Sequence, residues 1–183
     1  MGKIERLQQS YKKFIEIPWK SDIAPAQRVI FCVYDEHEER SIRAKIDEFE
    51  LATKQANHRW ILFSLTNTFP EWLGCQKYAK SYFNKPDIIT QILPQYPLYI
   101  KQKFEKFINE KSPDENTVIA LSGVGSLFGL IKVKELVDIL APLTKGRLVI
   151  FFPGSYEGNN YRLLDGYDGW NYLAVPITAN KEF

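Results

Sequence analysis

The sequence predicts an α/β fold: a three-layer, mainly parallel sheet with helices on both faces, Rossmann-like or P-loop-NTPase-like without a P-loop. Three observations predict it. Residues 28–34, 60–65, 118–121 and 148–152 are apolar runs of strand length, the pattern of strands buried on both faces. Stretches with apolar residues at helical spacing separate them, and such alternation marks a sheet wound through crossover helices. The 183 residues suffice for one well-cored domain, and no linker, repeat or low-complexity tract divides them. Residues 1–183 therefore read as a single α/β domain.

Ile4, Leu7, Tyr11, Phe14 and Ile15 share one face of a helix that ends before Pro18. The first strand, 28–34, follows. Asp35 heads the next helix and Glu38 stands three residues on, a capping-box pattern. That helix turns Ile42, Ile46, Phe49 and Ala56 to one side. After the second strand comes a helical insert, 68–111, interrupted by Pro86, Pro94 and Pro97. Within it Ile100, Phe104, Phe107 and Ile108 form a stripe. The third strand leads to a helix with Val133, Leu136, Val137 and Leu140 inward, stopped by Pro142. The fourth strand follows. Residues 161–164 and 172–177 read as two short strands that pair as a terminal ribbon.

Composition excludes several classes. An apolar share of 45% belongs to a folded chain. A net charge of +2 creates no global attraction to nucleic acid or membrane. No apolar run has the length of a bilayer span, and the first residues carry no apolar signal core. Arg6 stands where a myristoylation signal has Ser or Thr. Cys32 and Cys75 have no metal or redox spacing, and Cys32 sits inside a strand, which fits a reducing cytoplasm. Charge is uneven along the chain. Residues 35–50 hold seven acids against three bases, and residues 76–111 hold seven lysines against three acids. Solvated helix faces explain both; two ends that meet different partners are the alternative.

Chemistry concentrates in the last third. Eight of the ten glycines lie between Gly123 and Gly169, just past the ends of the third and fourth strands, where α/β sheets place their binding loops. The turn Ser122-Gly-Val-Gly-Ser-Leu-Phe-Gly129 has the character of a loop that holds a phosphate on backbone N–H groups, which makes Gly123, Gly125 and Ser126 the alternative cofactor-binding set. Its spacing departs from G-x-G-x-x-G, and no acid follows at the distance of a ribose ligand. A Walker A motif is absent, and Asp35-Glu-His-Glu-Glu39 after the first strand repels phosphate. Asp35, Glu157, Asp165 and Asp168 lie near strand ends without a nuclease signature, and the last two open Asp-Gly turns. His37 and His58 have no Ser, Cys or Asp at catalytic spacing, and Ser122 and Ser126 sit in no nucleophile elbow. Lys77, Lys80, Lys101, Lys103 and Lys106 interleave with Tyr78, Tyr82, Tyr99, Phe104 and Phe107, a pattern of weak single-strand binding. No catalytic set is complete. The expectation is a chain that is not an enzyme and carries no metal or cofactor.

Three blocks, Leu121-Ser-Gly-Val-Gly-Ser-Leu-Phe-Gly129, Val149-Ile-Phe-Phe-Pro-Gly-Ser-Tyr-Glu-Gly158 and Tyr161-Arg-Leu-Leu-Asp-Gly-Tyr-Asp-Gly-Trp-Asn-Tyr172, resemble the BrxB family of bacteriophage-exclusion (BREX) defence systems. The likeness spans residues 28–177 and is specific from residue 116 onward. It implies a cytoplasmic protein needed for defence, encoded beside a large ATPase, a PglZ-type protein with a phosphatase-like domain and a DNA methyltransferase. The family has no established catalytic residues. The resemblance carries over the motif positions alone: Gly123, Gly125, Gly154, Tyr156, Arg162, Asp168 and Asn171.

The expectation is therefore a non-catalytic adaptor that bridges the PglZ-type protein, the large ATPase, or both. Its loops at 123–129, 153–159 and 165–171 lie near one edge of the sheet, with Tyr156, Tyr167 and Trp170 as aromatic anchors for a partner. A nucleotide-binding regulator using the loop 123–129 and a weak DNA-contacting subunit are the alternatives. No membrane association is expected.

Overall fold

Six consecutive apolar residues need apolar neighbours on both faces, and Val29–Tyr34 (β1) has them: every residue of the strand is buried. The computed structural model describes residues 2–170 and 173–180. Its further strands are β2 (Arg59–Ser64), β3 (Thr117–Ser122), β4 (Arg147–Glu157), β5 (Asn160–Leu163), β6 (Gly166–Trp170) and β7 (Val175–Ile177). The helices are α1 (Lys3–Ile15), α2 (Glu39–Ala44), α3 (Ile46–Gln55), α4 (Thr68–Gly74), α5 (Ala79–Asn84), α6 (Tyr96–Lys111) and α7 (Val133–Leu140). The main sheet runs β2-β3-β4-β1-β7, with every pairing parallel. This order differs from both common doubly wound orders. No described helix is long and apolar enough to cross a membrane.

Alternate side chains of a strand point to opposite faces, and β1 divides its residues accordingly. Val29, Phe31 and Val33 join a cluster with Trp72, Phe104 and Leu136 from α4, α6 and α7. Ile30, Cys32 and Tyr34 join a second cluster with Leu7, Ile42 and Phe49 from α1, α2 and α3. The stripe expected at Val133, Leu136, Val137 and Leu140 is buried at all four positions. α1 is held to α3 by a buried bond: the Tyr11 hydroxyl lies 2.6 Å from Thr53 Oγ1, which itself donates to the Phe49 carbonyl. Tyr11→Phe removes that donor and leaves a buried oxygen under-satisfied. The expected cost is about 1–2 kcal/mol, read as a lowered urea midpoint with an unchanged slope.

Several local expectations change. The helix after β1 is broken at Lys45 into α2 and α3, and Asp35 caps only the short 3-10 turn Glu36–Glu38 by accepting from the His37 N–H at 3.0 Å. The insert 68–111 is three helices, with two 3-10 turns between α5 and α6, one starting at Pro86 and one containing Pro94. The terminal ribbon is wrong in its partners. β5 pairs antiparallel with the end of β4 on one side and with β6 on the other, whereas β7 joins the main sheet beside β1. The reason is the connection at Gly158 (φ 54°) and Asn159 (φ 65°). Two consecutive residues with positive φ make a tight hairpin turn that returns the chain at once along β4. β7 is an edge strand, and Pro176 on it offers no N–H to a further strand.

Candidate partner-binding site

The parallel strands end together: Tyr34 of β1 stands opposite Pro153 of β4, and Ser64 of β2 opposite Ser122 of β3. The glycine-rich loops grow from this edge. Gly123, with φ 74°, leaves β3 against Thr66; a Cβ there would come within 2.8 Å of the Thr66 nitrogen. Only glycine tolerates both the left-handed backbone and the contact. Val124 and Leu127 of the following turn are fully buried. The Ser126 hydroxyl points back to the carbonyls of Gly123 (2.7 Å) and Leu65 (3.1 Å). Gly123 and Ser126 thus serve the loop itself; Gly123 is buried, and Ser126 is half-buried at the wall of a small cavity beside Gly125 and Pro153.

The three loops do converge. A Cβ on Gly125 would lie 3.3 Å from Pro153 and 4.0 Å from Leu164, and a Cβ on Gly166 would meet the Phe128 ring at 2.8 Å. Leu164 adopts φ 53°, unusual for a branched residue, and its N–H donates to the Pro153 carbonyl at 2.8 Å. Gly154 lies so close to β5 that a Cβ would fall 1.9 Å from the Arg162 carbonyl oxygen.

Two expected surface residues turn inward. Asp168 is 5% exposed. Its carboxylate accepts the backbone N–H groups of Val133 (2.8 Å) and Lys134 (3.2 Å), so it caps α7 from a neighbouring strand, where the helix dipole favours an anion. Tyr156 packs on Tyr161 with ring centroids 4.6 Å apart and donates to Asn159 Oδ1 at 2.8 Å, so its ring is half-covered. Beneath it the Tyr161 phenol is pushed above its usual range by burial, then by Tyr156. Arg162 is exposed and donates to the Asp165 carbonyl at 3.3 Å. Trp170 pairs through its backbone with Asn160 at the end of β6. Asn171 lies outside the described residues.

What the converging loops do present is an apolar cleft of about 490 Å³ lined by Phe128, Leu130, Ile131, Lys132, Glu135 and Tyr167. Tyr167 is 54% exposed and Phe128 45%. The Lys132 ammonium stands 5.7 Å from the centre of the Tyr167 ring, within cation–π range. Phe128 and Lys132 were not among the expected anchors; an aromatic residue beside a glycine in the apolar run 127–131, with a lysine next, was the available signal.

Other candidates disperse. Glu157, Asp165 and Asp168 form no group with Asp35. Among the described residues, one set could offer metal ligands, Asp35, Glu36 and His37, with an atom from each within 4.8 Å of the others. The His37 N–H and ring hold the Asp35 carboxyl below its usual range, and Asp35 raises His37 in return. His58 stacks on Trp19 at 3.7 Å, away from both. Three lysines of the basic stretch face acids: Lys103 bonds Glu71, Lys101 faces Glu105 at 3.8 Å and Lys106 faces Glu110 at 3.9 Å, whereas the Lys77 ammonium lies 5.3 Å from the centre of the Tyr78 ring. Phe104 is fully buried and Phe107 packs beside it, so neither ring is free to stack a base.

A family model described as BREX protein BrxB matches residues 75–176, more than half of the chain and all three glycine-rich loops. The chain belongs to the BrxB family. The resemblance carried by the motif blocks is therefore a family relationship, and BREX anti-phage defence is the process to which it assigns the chain. No curated protein and no solved structure matches. Within the BrxB match lie α6, α7, the β4–β5–β6 ribbon and the Phe128–Tyr167 cleft.

Proposed function

We propose that this BrxB-family chain is a non-catalytic adaptor of a cytoplasmic BREX defence complex. It grips a protein partner through the cleft between Phe128 and Tyr167. The observation that carries the reading is the pair of exposed aromatic rings beside an apolar cavity of about 490 Å³. Aromatic residues dominate interface hot spots, and an apolar patch rimmed by charge marks a contact surface. Here Lys132 and Glu135 supply the rim. The partner we favour is the PglZ-type protein first, the large ATPase second; BREX membership supports a multi-protein assembly, and the resemblance carried by the motif blocks suggests these two members of it.

The nucleotide-binding alternative loses ground because the backbone N–H groups of Ser126 and Phe128 donate to the Gly123 and Gly125 carbonyls within the loop. The DNA-contacting alternative loses ground because Lys101, Lys103 and Lys106 face acids and Phe104 and Phe107 pack in the core. On fold, we favour the three-layer, P-loop-NTPase-like layout without a P-loop. The strand order and the two core clusters flanking β1 support it.

The adaptor reading is tested by copurifying the PglZ-type protein with the wild type and with a Phe128→Ala, Tyr167→Ala double variant. Both side chains are largely exposed, and circular dichroism checks that the variant keeps the fold. It is expected to bind about tenfold to a hundredfold more weakly. Equal binding by the variant refutes the cleft as the anchor.

A further inference from the structure

At the opposite edge of the sheet, where β1 to β4 begin, lies a second and larger cavity of about 650 Å³. Four cations line it, Lys20, Arg28, Lys145 and Arg147, against two acids, Asp22 and Glu115. Arg147 is 9% exposed. Its guanidinium lies 4.6 Å from the centre of the Trp19 ring, and it donates to the carbonyls of Lys20 (3.2 Å) and Gly146 (3.4 Å). Arg28 donates to the carbonyls of Thr144 (3.3 Å) and Lys145 (3.2 Å). Arg43 and Arg59 have carboxylate partners. Among the described residues neither Arg28 nor Arg147 has one; every acceptor on them is a neutral carbonyl.

Burying a guanidinium without a counter-charge is costly, and here a second guanidinium adds repulsion. Burial, then the Arg28 charge, both lower the pKa of Arg147, yet an arginine stays protonated. The arrangement is also rigid. A Cβ on Gly146 would fall 2.0 Å from the Thr117 carbonyl oxygen, so β4 begins pressed against β3. Trp19, under Arg147, stacks on His58 at 3.7 Å with rings 9° apart, and His58 Nδ1 meets Asn116 Oδ1 at 2.5 Å. A buried, unneutralised cation held in place beside another is unfavourable for folding alone and favourable for capture of an oxyanion. Two planar donor forks match the several oxygens of a phosphate, and the cavity has the size of a small-molecule site.

We infer that the cleft between Arg28 and Arg147 binds a small phosphate-bearing ligand. The site lies at the other end of the strands from the Phe128–Tyr167 cleft and does not rest on the adaptor reading. The test is calorimetric titration of the full chain, at low ionic strength, with pyrophosphate and separately with ADP. Saturable binding of one ligand per chain is expected. Arg28→Gln and Arg147→Lys should each weaken it by about tenfold or more, the worth of a charged hydrogen bond. Arg28 is only half-buried, so its variant keeps the fold, which circular dichroism checks. Tighter binding of ADP marks a nucleotide as the ligand; equal binding marks the phosphate group alone. No saturable binding of either probe overturns the proposal, as does binding that both variants leave intact. Binding of duplex DNA in place of both probes, lost in both variants, overturns it in favour of a nucleic-acid contact.

Discussion

Asp168→Ala is expected to lower the stability of the chain by about 3 kcal/mol. The carboxylate receives the first two N–H groups of α7, and a hydrogen bond to a charged group contributes roughly 1.5–3 kcal/mol. Losing an ordinary N-cap costs about 1 kcal/mol. The larger figure applies because Asp168 is buried and takes two donors, of which the Val133 N–H is itself buried. The effect also spreads, since Asp168 ties β6 to a helix whose inward residues are all buried. Asp168→Asn keeps one acceptor oxygen and should lose about half as much. Urea unfolding reads both: a lower midpoint at constant slope, in the order wild type, Asn, Ala. An alanine variant as stable as the wild type would mean that the cap contributes nothing.

Gly154→Ala is expected to cost about 3 kcal/mol or more and to detach the ribbon. The added methyl would stand 1.9 Å from the Arg162 oxygen and 3.1 Å from the Leu164 nitrogen. Both are backbone atoms, which no rotamer change can move aside. Overpacking costs about 1–3 kcal/mol, and separating β4 from β5 adds lost ladder hydrogen bonds of about 1 kcal/mol each. Gly158→Ala is the control. Gly158 also has positive φ, but its nearest neighbour is the Asn160 amide at 3.9 Å, so only the backbone strain of about 1 kcal/mol applies. Similar unfolding midpoints for the two variants would contradict the close approach of β4 and β5.

Local pattern was readable and distant pairing was not. The apolar run of β1 and the four-residue stripe of α7 state their burial directly, because each needs only its own periodicity. The convergence of the glycine loops was also readable, since strands that run parallel bring their ends to one edge. β7 was not, because three residues containing Pro176 carry no pattern that names β1 as neighbour. The hairpin of β4 and β5 was signalled by Gly158-Asn159, a dipeptide suited to a two-residue turn, and was overlooked. Asp168 reads as the start of an Asp-Gly turn. Its role depends on a helix 35 positions earlier, and no local motif reports such a contact. The same holds for Arg28 and Arg147, which come together only through the parallel pairing of β1 with β4.

The most direct measurement is the affinity of the purified chain for the PglZ-type protein, compared between wild type and the Phe128→Ala, Tyr167→Ala variant. Thermal unfolding is recorded alongside. The expected result is a wild-type complex that weakens by about tenfold or more while the unfolding temperature stays the same. A wild type that binds neither the PglZ-type protein nor the ATPase, or a variant that binds as well as wild type, would contradict the adaptor reading of this surface.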